Sequence, residues 1–231
     1  MALYTISDLH LSLGTDKPME VFGSVWENYT ERLRERWQSI VAPDDTVLIP
    51  GDISWATYLE NAYEDLNFIH QLNGNKIILK GNHDYWWSTL NKLNVFLTEH
   101  QLDSICFLQN SAVICEDTVI CGTRGWTIPT AKSSEEDKKI FEREKIRLVL
   151  SLEEGKKLHG SRLVVAMHYP PIEKGNANTD MLNIMQEYGV EKCVYGQLHA
   201  ASQKNEPIGN FGGIFLQLAA CDYTDFTPLV L

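Results

Sequence analysis

The five cysteines, Cys106, Cys115, Cys121, Cys193 and Cys221, include no C-x-x-C pair. That spacing argues against a zinc knuckle or a disulfide framework, and the thiols read as reduced, buried side chains of a cytoplasmic protein. No apolar run approaches the ~18 residues a membrane span needs. The opening MALYTISDLH lacks a basic region followed by a long apolar stretch, so neither a signal peptide nor membrane attachment is expected. Basic residues are few, 20 against 31 acidic ones, and they form no strip; the formal net charge is -11. Such a surface repels long polyanions, so no long nucleic acid is expected as a partner. A small phosphorylated substrate stays open, because bound cations reverse the field locally. No internal repeat, low-complexity tract, linker or oligomerisation signal is visible.

What is present is an ordinary globular composition over 231 residues, read as a single domain spanning 1–231. Strand-like runs alternate with helix-like ones. LYTIS (3–7), TVLIP (46–50) and KIILK (76–80) are strands. Between and after them, apolar residues recur at spacings of three and four. Trp26, Tyr29, Leu33, Trp37 and Ile40 predict a helix over 25–41, Leu59 to Ile69 a second, and Leu90, Leu93 and Leu97 a third. This βαβαβ half implies parallel strands with helical crossovers. SICFL (104–108), SAVIC (111–115) and TVICG (118–122) are close-spaced strands, expected to be partly antiparallel. A charged helix follows over 134–158, with Phe141, Leu148, Val149 and Leu152 as its buried stripe and a solvated face opposite. RLVVAMH (162–168), KCVY (192–195) and GIFLQLAAC (213–221) are strands, and 180–188 a short helix.

The strands run into polar clusters. LYTIS leads to Asp8 and His10, TVLIP to Gly51-Asp52, and KIILK to Gly81-Asn82-His83-Asp84. RLVVAM leads to His168, and KCVY to Gly196-Gln197-Leu198-His199. Each alone reads as a turn, a cap or a packed histidine. Together they supply the oxygen and nitrogen donors of a metal pair, at the strand ends where α/β proteins bind ligands.

The order D-x-H, G-D, G-N-H-D, H, G-x-x-H resembles the calcineurin-like metallophosphoesterase superfamily over residues 8–199. The resemblance implies an α/β fold, a four-layer αββα sandwich of two mixed β-sheets flanked by helices. It also implies two divalent metal ions, with manganese first and iron, zinc, magnesium or nickel as alternatives. By position, Asp8, His10, Asp52 and His199 would hold the first metal. Asp52 would bridge to the second, held by Asn82, His168 and the residue at 197. In that chemistry a metal-bridging hydroxide attacks phosphorus in line with the leaving oxygen. His83 would be the general acid, oriented by Asp84; capping the turn is an equal reading of Asp84. Asn82 and His83 would also touch the phosphate. Arg124 is a candidate phosphate clamp, with an ordinary surface salt bridge as the alternative. Trp55, Tyr85, Trp86, Trp87 and Trp126 crowd these motifs, either as packing or facing substrate.

The family pattern at 196–199 is G-H-x-H, and here Gln197 takes the first histidine's place. Gln197 either ligates through its amide oxygen, or leaves its place to water, or replaces a parent histidine by natural or deliberate change. The leading expectation is a metal-dependent phosphatase or phosphodiesterase weakened at its second metal. The alternatives are a phosphate- or nucleotide-binding module without turnover, and a nuclease of the same superfamily.

Overall fold

The computed structural model describes residues 1–173 and 179–231. The chain divides into two compact units, residues 1–107 with 219–231, and residues 108–218. Each is built on one mixed sheet, and with five α-helices among the described residues the fold is α/β with two mixed sheets, as expected.

The first unit holds β1 (Leu3–Thr5), β2 (Thr46–Ile49), β3 (Asn75–Leu79), β4 (Ile105–Leu108) and β11 (Leu229–Val230). Their order is β11-β1-β2-β3-β4, with β1, β2 and β3 parallel and β11 antiparallel to β1. Its helices are α1 (Tyr29–Ile40), α2 (Tyr63–Gln71) and α3 (Leu90–Glu99). Helix α1 buries Tyr29, Leu33 and Trp37, one residue per turn, into a single apolar core that includes Ile49 and Leu66. It starts four residues later than its periodicity predicts. Trp26 ends a 3₁₀ turn (Ser24–Trp26) and sits edge-on to Tyr29 at 5.3 Å and Phe226 at 5.5 Å. A tight turn satisfies an i, i+3 apolar pair as well as a helix does. Thr89 caps α3, accepting the Lys92 N–H.

The second unit holds β5 (Ala112–Cys115), β6 (Thr118–Thr123), β7 (Arg162–Met167), β8 (Lys192–Tyr195), β9 (Gly209–Phe211) and β10 (Ile214–Leu218). Their order is β5-β6-β7-β8-β10-β9, antiparallel at the two outer pairs and parallel within. SICFL and SAVIC, adjacent in sequence, thus enter different sheets. Helices α4 (Glu135–Gly155) and α5 (Asp180–Glu187) start on Ser134 and Thr179, whose hydroxyls accept the N–H groups of Asp137 and Leu182. Helix α4 lies on β6. A Cβ at Gly155 would fall 2.5 Å from Cys121 Sγ, so only glycine permits this approach. The buried stripe of α4 is Phe141, Leu148 and Leu152 as expected, but it also includes Glu144 and Ser151, while Val149 is only half-buried. Ser151 Oγ donates to Ser111 O at 2.5 Å and accepts the Gly122 N–H at 2.8 Å, which makes its burial tolerable. Of the cysteines, Cys121, Cys193 and Cys221 are buried; Cys115 is half-buried and Cys106 exposed, contrary to the expectation for those two. Among the described residues no helix is long and apolar enough to cross a membrane.

One buried charge ties α2 to the loop after β1. Asp65 accepts the Leu13 N–H at 2.7 Å and the Ser54 hydroxyl. Burial raises its pKa to about 6, against hydrogen bonds that lower it. The folded chain therefore favours neutral Asp65. Its stabilising contribution is full below the unfolded value near 3.8 and is lost as pH rises through about 6. An Asp65→Asn variant removes this titration. Between pH 7 and pH 4, native should gain about 2 kcal/mol on the variant, most of the two-unit shift at about 1.36 kcal/mol per unit. Urea unfolding of both chains across that range reads the difference; a constant offset would reject the assignment.

Candidate metal centre

In the first unit, the loops after β1 and β2 run side by side. The N–H groups of Asp8, His10 and Leu11 donate to the carbonyls of Gly51 at 3.0 Å, Asp52 at 3.0 Å and Ile53 at 2.9 Å. The Ser7 hydroxyl donates to the Asp8 carboxylate. This pairing sets the predicted ligands together: Asp8 offers an atom within 4.8 Å of one on His10 and one on Asp52. His10 Nε2 and Asp52 Oδ2 are 3.7 Å apart. Asp8, His10 and Asp52 have φ of 59°, 46° and 53°. Left-handed backbone at a non-glycine residue costs of order 1–3 kcal/mol and collects at functional sites.

The loop after β3 supplies the third cluster. The His83 N–H donates to Asp52 Oδ1 at 2.8 Å, so Asp52 has one oxygen turned to the backbone and the other to His10. A Cβ at Gly81 would fall 2.1 Å from Asp52 Oδ1 and 2.2 Å from Asp52 N. The glycine of G-N-H-D is there for space. Gly81→Ala should push Asp52 aside and weaken manganese binding at least tenfold, the scale of losing a ligand's support. Isothermal titration with manganese checks it.

Asp84 is fully buried. Its Oδ1 accepts N–H groups from Ile53 at 2.9 Å, Ser54 at 3.3 Å and the Trp86 indole at 3.0 Å. Its Oδ2 accepts Asp52 N–H at 3.0 Å and Gly81 N–H at 2.7 Å. The turn-capping reading describes these five bonds, and the His83 ring is not among the partners. Burial and then the Asp52 charge push the Asp84 pKa up, and the backbone N–H groups pull it back.

Asp8, Asp52 and Asp84 are each at most 1% exposed. Buried carboxylates this close repel one another and cost several kcal/mol unless a cation offsets them. Hard oxygens with imidazole nitrogen are the donor set of a divalent ion of the manganese, iron or zinc kind. The residues present fit such an ion.

Rings surround the imidazoles of this unit. Trp55 stacks on His10 at 4.9 Å and lies 4.6 Å from His83, with Phe22 nearly parallel to it at 6.3 Å. Lys17 Nζ sits 3.1 Å from the Trp55 ring centre. Lys17 and Phe22 carry no local signal, and only tertiary structure brings them to Trp55. Trp86 is buried packing, while Tyr85 is exposed.

In the second unit, His168 follows β7 and is fully buried; its N–H donates to Arg124 O at 3.1 Å, and its carbonyl accepts the Gly196 N–H at 3.1 Å. This second bond brings the loop after β8, with Gln197 and His199, beside His168. Gln197 has φ 70°. His199 donates its N–H to Ser202 Oγ at 2.9 Å. The Arg124 guanidinium lies 3.5 Å from the buried Glu144 carboxylate and over the Trp126 ring at 4.6 Å. Glu144 also pairs with Arg147 at 2.6 Å and accepts the Thr123 hydroxyl at 2.6 Å. The salt-bridge alternative for Arg124 thus describes its observed partner, though on the partner's side the bridge is buried.

The calcineurin-like phosphoesterase model matches residues 1–201, and the chain belongs to that family. Members use divalent metals to hydrolyse phosphoesters, and that general activity comes with membership. Phosphopantetheinyl hydrolase (PptH) from Mycobacterium tuberculosis superposes with a TM-score of 0.61 at 11% identity, over 100% of this chain and 95% of that one. TT1561 of Thermus thermophilus gives 0.59 at 10%, over 93% and 86%. A protein of unknown function, AQ665 from Aquifex aeolicus, gives 0.52 at 17%, over 99% and 95%. Identities this low speak for the fold alone. No curated protein is similar enough in sequence to register as a relative.

Proposed function

We propose that residues 1–231 act as one phosphoesterase domain that hydrolyses a small phosphate ester, as a phosphatase or phosphodiesterase, in the cytoplasm. The observation that carries this reading is the convergence of Asp8, His10 and Asp52 on left-handed backbone, with the G-N-H-D loop bound to Asp52. By position in the family pattern, Asp8, His10, Asp52 and His199 would hold one metal, and Asp52, Asn82, His168 and Gln197 the other. Manganese is the first choice, since an amide oxygen at 197 favours a harder ion than zinc. Two such ions, when bound, supply an activated water and offset charge on the phosphate oxygens.

The chain's own residues do the rest. Asn82 orients the phosphate through its amide. His83 gives a proton to the leaving oxygen, a role worth about 10²–10⁴ in rate. Asp84 is a positioning residue that fixes the Asp52 and Gly81 backbone. The -11 charge favours a compact substrate over a nucleic-acid strand, against the nuclease reading. Gln197 favours a second reading, a phosphate- or nucleotide-binding module without turnover.

The test is hydrolysis of bis(4-nitrophenyl) phosphate and 4-nitrophenyl phosphate with added manganese. Turnover should need the metal, and His83→Ala should lose at least 100-fold on an alkyl ester such as glycerol 2-phosphate, whose alkoxide needs a proton to leave, and much less on the 4-nitrophenyl esters. Phosphate binding to the manganese-loaded chain without hydrolysis of any of these esters would select the binding module. Metal-independent turnover would reject the assignment outright.

A further inference from the structure

A group that protonates a leaving oxygen must lie within hydrogen-bond reach of it. The leaving group therefore departs past the neighbours of His83. In the first unit these are rings: Trp55 at 4.6 Å, His10 at 5.8 Å and Tyr85 at 6.2 Å. The row continues from Trp55 to Phe22, whose plane is within 12° of the indole. Its outer members are unusually open for aromatic side chains, Phe22 at 56% and Tyr85 at 64% exposure.

The segment carrying Phe22 is anchored. Met19 is buried and its Sδ accepts the Trp55 indole N–H at 3.0 Å, while the Lys17 ammonium rests on the same ring. A fixed segment that presents an aromatic ring to water is a preorganised surface for another ring.

We infer that the exposed rings Phe22 and Tyr85, backed by Trp55, form the leaving-group subsite of this enzyme, and that it selects phosphoesters whose leaving group is a planar aromatic ring. The inference rests on the assignment of His83 under the proposed function. Binding of non-hydrolysable ligands tests it apart from turnover. With the manganese-loaded chain, 1-naphthylmethylphosphonate should bind at least tenfold more tightly than methylphosphonate or octylphosphonate. In the Phe22→Ala/Tyr85→Ala double variant the naphthyl-to-methyl affinity ratio should collapse to within about twofold of one. Phe22→Tyr keeps a ring and should keep the preference.

Equal affinity of native for the three ligands, no binding of any, a matching preference for the octyl chain, or a preference that survives the double variant would each overturn the subsite. A ring preference lost in the double variant, in a chain that hydrolyses no ester, would keep these rings as a binding site for aromatic phosphorus ligands and sink both the hydrolase reading and the leaving-group role.

Discussion

Replacing Asp84 with alanine should cost about 4 kcal/mol of stability and weaken manganese binding at least tenfold. Five N–H groups converge on this one buried carboxylate, from Asp52, Ile53, Ser54, Gly81 and the Trp86 indole. A buried donor left without its acceptor costs about 1–3 kcal/mol. Water entering the space recovers part of that, so the sum falls well short of five full penalties. Two of the donors are the backbone of Asp52 and of Gly81, and a Cβ at Gly81 has no room beside Asp52. Loosening the clamp therefore moves a proposed metal ligand as well as unfolding the chain more readily. Asp84→Asn keeps one acceptor oxygen but turns an NH₂ toward N–H donors, so it should lose about half as much. Urea unfolding and manganese titration read the two effects separately. A variant within 1 kcal/mol of native with unchanged metal affinity would remove the clamp from the account.

Gln197→His is the second large effect, and its sign is a gain. An imidazole at 197 should tighten the second manganese by at least tenfold and raise hydrolysis of an aryl phosphodiester by a similar factor. The backbone accepts the change: position 197 has φ 70°, a region where histidine is enriched among non-glycine residues. Manganese titrated by electron paramagnetic resonance resolves two affinities, of which only the weaker should move. Equal affinities and rates in the two chains would mean that the amide oxygen serves the second ion as well as imidazole does.

The strand-end clusters were legible because each sits where an apolar run stops, and composition changes abruptly there. Asp8, Asp52 and the G-N-H-D turn stand out in the sequence for that reason. Their partners do not. Asp65 holds Leu13 across 52 residues, and Lys17 meets Trp55 across 38, pairings that no local pattern encodes. Glu144 looked like one more charge on a solvated helix face. It is buried because Thr123, Arg124 and Arg147 meet it there. The left-handed backbone at Asp8, His10 and Asp52 was equally hidden, since nothing but glycine advertises that conformation in a sequence.

The Asp8 loop also imposes an order of assembly. The Ser7 N–H donates to Ala219 O at 2.7 Å, the Cys221 N–H returns to Ser7 O at 2.9 Å, and Cys221 Sγ donates to Asp8 O at 3.0 Å. Farther along, β11 pairs with β1. Ribosomes deliver residues 219–231 only after residues 1–218, so β1 can pair with β2 and the Asp8 loop with Gly51 and Asp52 well before the bonds to Ala219 and Cys221 close the other side. A nascent chain stalled before residue 219 carries a complete set of predicted ligands, yet lacks the bonds from residues 219 and 221 that complete the clamp on Ser7 and Asp8. The last-made segment thus finishes the support of Asp8 although none of the predicted ligands lies in it.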